Sequence, residues 1–290
     1  MKYVLISLLA LAACTAANAQ AGKPAYVLYD GNGRQVQYEK MVADLASADV
    51  VMIGEHHNNP ISHWLEYEIT ASIHEIRQGM VVLGAEMFEA DTQLMLDEYV
   101  SGMISTTRFE ADSRLWHNYS TDYEPLVAFA RENGLRFVAT NIPRRYADMV
   151  NKGGGLHVLD ALSDEAKGYM APRPMPLKPD SVMLAEGSIM SMMSKDPLAI
   201  AKAQAVKDAT MAYFITRNME DGKVFIHYNG SYHSDFHDGI LHFLNIYKPG
   251  LTIKTVSTVL QDEPVPFDTE AYGGVADYVI CVPVTMTKTY

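Results

Sequence analysis

Short runs of consecutive apolar residues, each broken off by glycine or a polar side chain, recur along the chain. Val50-Val51-Met52-Ile53 runs into Gly54-Glu55-His56-His57, Met80 to Ala85 into Glu86, and Leu135 to Thr140 into Asn141. Val224 to Tyr228 runs into Asn229-Gly230-Ser231-Tyr232-His233. Apolar runs of this length, bounded by turn residues, mark strands buried on both faces. Tyr26 to Tyr29, Thr252 to Val259 and Asp277 to Val282 add further strands, and Arg34-Gln35-Val36 reads as the hairpin return of the first. Between the strands, helical patterning covers Tyr38 to Ser47, Asp91 to Val100, Asp122 to Glu132, a stretch opened by Pro143, Pro197 to Met219, and His237 to Tyr247. The clearest helix starts at Pro60 behind the cap Asn59 and stops at Gly79. Strands alternating with helices predict an α/β fold, a mainly parallel sheet with helices on both faces.

The pattern lapses between about 152 and 196. Gly153-Gly154-Gly155 breaks the preceding helix, and Ala171 to Pro179 is too rich in proline for a helix interior or a central strand. Met183, Met190, Met192 and Met193 follow. This stretch is read as a helical insertion in one domain spanning 25–290, serving as a lid or packing against the main body.

Of 290 residues, 48% are hydrophobic and 20% charged, enough for a substantial core. A formal charge of -12 argues against nucleic acid as a partner, because phosphate contacts need clustered Lys and Arg. The start has its own character. Met1-Lys2 and the apolar run Tyr3 to Ala13 form a signal peptide over 1–19, too short to span a bilayer. Leu11-Ala12-Ala13-Cys14 resembles a lipobox, making Cys14 the lipid acceptor and mature start, while Ala17-Asn18-Ala19 fits an ordinary cleavage site. The first implies a lipid anchor in the bacterial envelope, the second a soluble periplasmic protein. Cys281 lies in an apolar run and reads as a small buried hydrophobe, so neither a disulfide framework nor a zinc–cysteine site is expected.

The candidate chemistry sits at the strand ends. Gly54-Glu55-His56-His57 and Gly230-Ser231-Tyr232-His233 both have glycine three residues before histidine. A glycine there allows a sharp turn off the strand that carries the imidazole over the sheet edge, where open parallel sheets bind ligands. Glu86 and Asn141 end neighbouring runs and are expected at the same rim. Such a cluster suits two chemistries. His57 and His233 with Glu55 or Glu86, Glu86 being preferred, offer a divalent metal ion a set of ligands for a protease or esterase, and a metal-free pair of His57 and Glu86 offers a general base for ester cleavage.

Further segments supply a resemblance. Gly54-Glu55-His56-His57-Asn58-Asn59-Pro60, Gly84-Ala85-Glu86-Met87-Phe88 with Gln93, Tyr123-Glu124-Pro125-Leu126, Asn141-Ile142-Pro143-Arg144, Ala203-Gln204 with Lys207-Asp208, and Gly230-Ser231-Tyr232-His233-Ser234 run in order along the chain. In this combination the chain resembles the ChaN family of haem-binding lipoproteins, within the superfamily of the Tiki proteases, the TraB-like proteins and the erythromycin esterases. The resemblance implies an outer-membrane lipoprotein of iron uptake, more a binding protein than an enzyme. It implies a homodimer enclosing two cofacial haems held by tyrosine, with an outer-membrane haem receptor as a further partner. Glu55, His56, His57, Glu86, Tyr232, His233 and Arg144 are then the haem-site candidates. Tyr232 is the preferred ligand, since a phenolate suits ferric iron, with Tyr228, Tyr123 and Tyr119 as rivals. Arg144 or Arg145, near a helix start, would meet a propionate.

Overall fold

The computed structural model describes residues 22–153, 155–177 and 197–290. Cys14 and the methionines from Met183 to Met193 lie outside the described residues. A seven-stranded sheet runs through the molecule in the order β1-β7-β6-β2-β5-β3-β4. Its strands are β1 (Val27–Asp30), β2 (Val50–Glu55), β3 (Val81–Glu89), β4 (Phe137–Asn141), β5 (Val224–Gly230), β6 (Ile253–Gln261) and β7 (Tyr278–Pro283). All neighbours pair in parallel except β1, which runs antiparallel to β7.

Helices cover both faces, as the continuous apolar runs require. Along β2, Val51 and Ile53 point to one face and Val50 and Met52 to the other, and each set joins its own core cluster. The first face packs against α1 (Tyr38–Leu45), α2 (Pro60–Ile76), α3 (Gln93–Val100), α4 (Thr106–Asp112) and α5 (Glu124–Glu132). The second packs against α6 (Arg144–Gly153) and, beyond the short α7 (Asp164–Lys167), α8 (Pro197–Asn218) and α9 (Ile240–Tyr247). Met170, Ala171 and Met175 are buried in that second cluster, so the described part of the insertion packs against the body.

Some boundaries differ from the sequence reading. β3 continues past Glu86 to Glu89, and its register against β4 shifts between Ala85 and Glu89. Arg34 to Val36 does not return as a strand: Tyr29 and Gln35 share a single bridge, and β7 takes the ladder position beside β1. Helix α2 begins as expected, with Asn59 Oδ1 accepting from the backbone N–H of Ile61 at 2.9 Å and of Ser62 at 3.3 Å. At the far edge of the sheet a side chain takes the place of a strand. Gln93 Nε2 donates to the Phe137 carbonyl of β4 at 2.9 Å, and Gln93 Oε1 accepts from Ala139 N–H at 2.7 Å. Among the described residues no helix is long and apolar enough to cross a membrane.

Candidate functional site

Parallel pairing of β2 with β5 sets Gly54 beside Asn229 and Glu55 beside Gly230, so the two glycine–histidine segments leave the sheet side by side. They interlock through their glycines. A Cβ on Gly54 would lie 2.8 Å from Cα of Ser231, and a Cβ on Gly230 would lie 2.8 Å from His57 Nε2. Neither glycine is among those with positive φ. The expected turn-making role is therefore corrected: these positions need space for a close neighbour, not left-handed backbone freedom.

A cavity of about 470 Å³ opens at this rim. Glu55, His56, His57, Glu86, Arg144, Tyr232 and His233 all line it, joined by Trp116, Asn141, Ile142, Gln204 and Lys207. It adjoins a second, wider cavity of about 820 Å³ that shares Glu89, Trp116 and Arg144 with the first.

Two buried networks form the floor. In the first, Glu86 Oε2 accepts the Gly230 N–H at 2.8 Å, Glu86 Oε1 lies 3.3 Å from His233 Nε2, and His233 Nδ1 lies 2.5 Å from Asp208 Oδ1. Burial alone would lower the His233 pKa, but the charges of Glu86 and Asp208 outweigh it and push the imidazole up to about 10. Burial likewise opposes ionisation of Glu86, yet His233 beside it holds the carboxyl below the usual carboxylate range. For Asp208 burial wins, and its pKa is raised despite His233.

In the second network, His57 Nδ1 sits 2.6 Å from Glu55 Oε1, and the Tyr123 hydroxyl donates to the same oxygen at 2.8 Å. Burial pulls the His57 pKa down, and the hydrogen bond to Glu55 more than restores it. The side chain of His57 is 35% exposed, edge-on to Trp116 at 4.9 Å. Behind Glu55 lies His63 of α2. Its Nδ1 is 3.1 Å from Glu66 Oε2 and 3.3 Å from Glu55 Oε2, and its Nε2 is 3.2 Å from the His57 carbonyl and 3.4 Å from Asp122 Oδ2. Burial disfavours the His63 imidazolium, but its bonds to Glu55 and Glu66 push its pKa up to about 11. Burial and the charge of Glu55 raise Glu66 well above the ordinary glutamate value.

Among the four tyrosines weighed as ligands, Tyr232 lines the cavity, its ring edge-on to His233 at 5.6 Å. The others are turned inward. Tyr228 is buried with its hydroxyl 2.7 Å from Thr70 Oγ1, Tyr123 is bonded to Glu55, and Tyr119 packs among Phe88 and Phe109. The adjacent arginines part company. Arg144 lines both cavities, while Arg145 pairs with Asp91 at 2.7 Å and touches the second.

The alternative metal set also needs correction. Among the described residues, the donor atoms of His57, His233 and Glu86 do not gather as a three-ligand group, and both ring nitrogens of His233 face carboxylates. The group that does gather is Glu55, His63 and Glu66. His63 and Glu66 escaped the sequence reading because they sit among Leu65, Ile69 and Ile73 on the buried face of α2. Their one signal was their spacing, three apart on a face otherwise apolar enough to be core.

Residues 41–244 match the family model described as haem-binding uptake, Tiki superfamily, ChaN. The chain belongs to this family. Its fold is similar to that of ChaN of Campylobacter jejuni, a structure described as showing cofacial heme binding. The two share 18% identity over 88% of this chain and 96% of that one, with a TM-score of 0.64. An erythromycin esterase, EreC in its open conformation, is similar at 11% identity over 91% and 99% of the two chains, with a TM-score of 0.51. A Bacillus cereus protein is similar at 12% identity over 89% and 94%, with a TM-score of 0.50. At these identities the neighbours establish the fold alone. No curated protein matches the chain.

Proposed function

We propose that this protein binds ferric haem in the rim cavity, with Tyr232 as the oxygen ligand and Arg144 and Lys207 as partners of the propionates. The observation that carries the reading is the convergence of a tyrosine, the Trp116 ring and two cationic side chains on one cavity, in a chain of the haem-binding uptake family. The volume, about 470 Å³ opening toward a wider groove, falls in the range of small-molecule and cofactor sites. The donor set fits as well: a phenol for ferric iron, guanidinium and ammonium groups for carboxylates, and an aromatic side with Ile142 for the macrocycle. Bound iron supplies a Lewis-acidic centre that stabilises the Tyr232 phenolate.

The same reading makes the protein a carrier in haem or iron uptake. It would be tethered to the outer membrane through Cys14 and pair with a second copy over the cavity mouth, as the cofacial arrangement described for the Campylobacter protein suggests. Titration of the purified, metal-stripped protein with ferric haem tests the binding, and sedimentation with and without haem tests the pairing. A saturable Soret band at one haem per chain, altered in Tyr232→Phe, is the expected result. An unchanged ferric spectrum in that variant removes Tyr232 as ligand, and the lack of saturable binding removes the haem reading.

One observation favours a second reading. A carboxylate held 2.6 Å from His57 Nδ1, with the ring partly exposed in the cavity, is an arrangement that serves a general base in hydrolysis. Ester or peptide turnover abolished by His57→Gln, without any haem requirement, would establish it in place of haem carriage.

A further inference from the structure

Behind the cavity floor, buried His63 faces two buried glutamates. Glu55 is 2% exposed, Glu66 is fully buried and His63 is 6% exposed. The Nδ1 atom of His63 has one position for a proton or a metal, and Glu66 Oε2 at 3.1 Å is its hydrogen-bond partner. Glu55 Oε2 has only the 3.3 Å approach of His63 Nδ1 and Glu66 Oε1 has no hydrogen-bond partner, a buried arrangement whose desolvation cost a further positive charge would offset.

We propose that Glu55, His63 and Glu66 form a binding site for a divalent first-row transition-metal ion behind the rim cavity, with Glu55 common to both. Distances support it. Donors bound at about 2.0–2.2 Å in tetrahedral geometry stand roughly 3.3–3.6 Å from one another. His63 Nδ1 stands 3.3 Å from Glu55 Oε2 and 3.1 Å from Glu66 Oε2, and one donor atom from each residue lies within 4.8 Å of the others. Two carboxylates and a neutral imidazole balance a double positive charge, and this nitrogen–oxygen set suits zinc, manganese, iron or cobalt.

The surroundings are built like the outer shell of a metal centre. His63 Nε2 is oriented by the Asp122 carboxylate at 3.4 Å and the His57 carbonyl at 3.2 Å, which turns Nδ1 toward the glutamates. A histidine fixed by a carboxylate on its distal nitrogen is the usual support for a metal ligand. Asp122 is itself held by Asn118 Nδ2 at 2.6 Å and Thr289 Oγ1 at 2.8 Å. The second oxygen of Glu55 is fixed by Tyr123 and His57, so Oε2 is the atom left for the ion. A surface groove of about 500 Å³ is lined by His63, Asp122, Trp64 and Thr289, so His63 and its partner Asp122 border solvent.

The test uses the full-length chain, stripped with a chelator and titrated with Co²⁺ and Zn²⁺ with no haem present, so its outcome is independent of the haem reading. Expected are one equivalent of metal per chain, a visible cobalt spectrum of nitrogen and oxygen ligation, and loss of both in His63→Ala and Glu66→Gln. Asp122→Asn should weaken binding about 10–100-fold, the usual effect of removing an outer-shell partner. Should the variants not fold, anomalous scattering from cobalt-soaked crystals of the unaltered protein decides. A peak at His63 supports the site. A peak only at His57 or His233, sub-stoichiometric cobalt in the folded protein, or a full equivalent retained in both folded variants overturns it.

Discussion

The imidazole of His57 lies so close over Gly230 that a single methyl group on the glycine would sit 2.8 Å from Nε2 and 2.9 Å from Cε1. Gly230→Ala therefore forces the ring aside and breaks its bond to Glu55. The expected loss is about 1–3 kcal/mol in denaturant unfolding, the range for overpacking a close contact. The changed His57 environment should also be visible in the imidazole resonances. Gly54→Ala should cost more, because its added methyl meets the backbone of Ser231 and no side-chain rotation relieves it.

Stability should fall as pH rises from 7 to 10. His233 is held protonated up to about 10 in the fold, against an ordinary value near 6.5 in the unfolded chain. Between those values the folded state keeps a proton that the unfolded state has lost, so the stabilisation is complete below about 6.5 and disappears through about 10. Each such retained proton contributes a slope of up to about 1.4 kcal/mol per pH unit. His233→Gln should flatten the alkaline limb measured by urea unfolding at a series of pH values. An unchanged slope would show that the carboxylates do not hold His233 protonated.

Arg144 and Lys207 line the cavity, and the Lys207 charge also favours the ionised forms of Glu86 and Asp208. If they meet the propionates, Arg144→Ala and Lys207→Ala should each weaken ferric haem binding about tenfold, or about 1.4 kcal/mol. The melting temperature of Arg144→Ala without haem should change little. Equal affinity in all three proteins would place the propionates elsewhere.

Removing the cap of α2 tests how far that helix supports His63 and Glu66. Asn59→Ala leaves the N–H groups of Ile61 and Ser62 without their acceptor. It should cost about 0.5–2 kcal/mol, read as a lower urea midpoint with unchanged m-value.

Much of this architecture was legible in the chain because the physics that makes it is local. The apolar runs of β2 and β5 announced strands covered on both sides, and Asn59-Pro60 announced the start of α2. The gathering of His57, Glu86, Arg144, Tyr232 and His233 on one cavity followed from placing each at the carboxyl end of a strand or just beyond it. What stayed hidden depends on contacts between distant segments. The insertion of β5 between β2 and β3 decides which strand ends are neighbours, and no local signal reports it. The purpose of Gly54 and Gly230 needed the opposing segment to be in place, and periodicity marked His63 and Glu66 only as the inner face of a helix. Of the two adjacent arginines, the partner Asp91 singled out Arg145, and it stands far from both in sequence.

The amide of Gln93, bonded to both Phe137 and Ala139, has a consequence for how copies of this chain can meet. A bare outer strand is a template on which another molecule's backbone can align and continue the ladder. Here a foreign strand would first have to expel an intramolecular amide that already occupies the rungs. Growth by strand addition along β4 is shut off by one glutamine, which leaves self-association to the β1 edge, the helical surfaces or the cavity mouth.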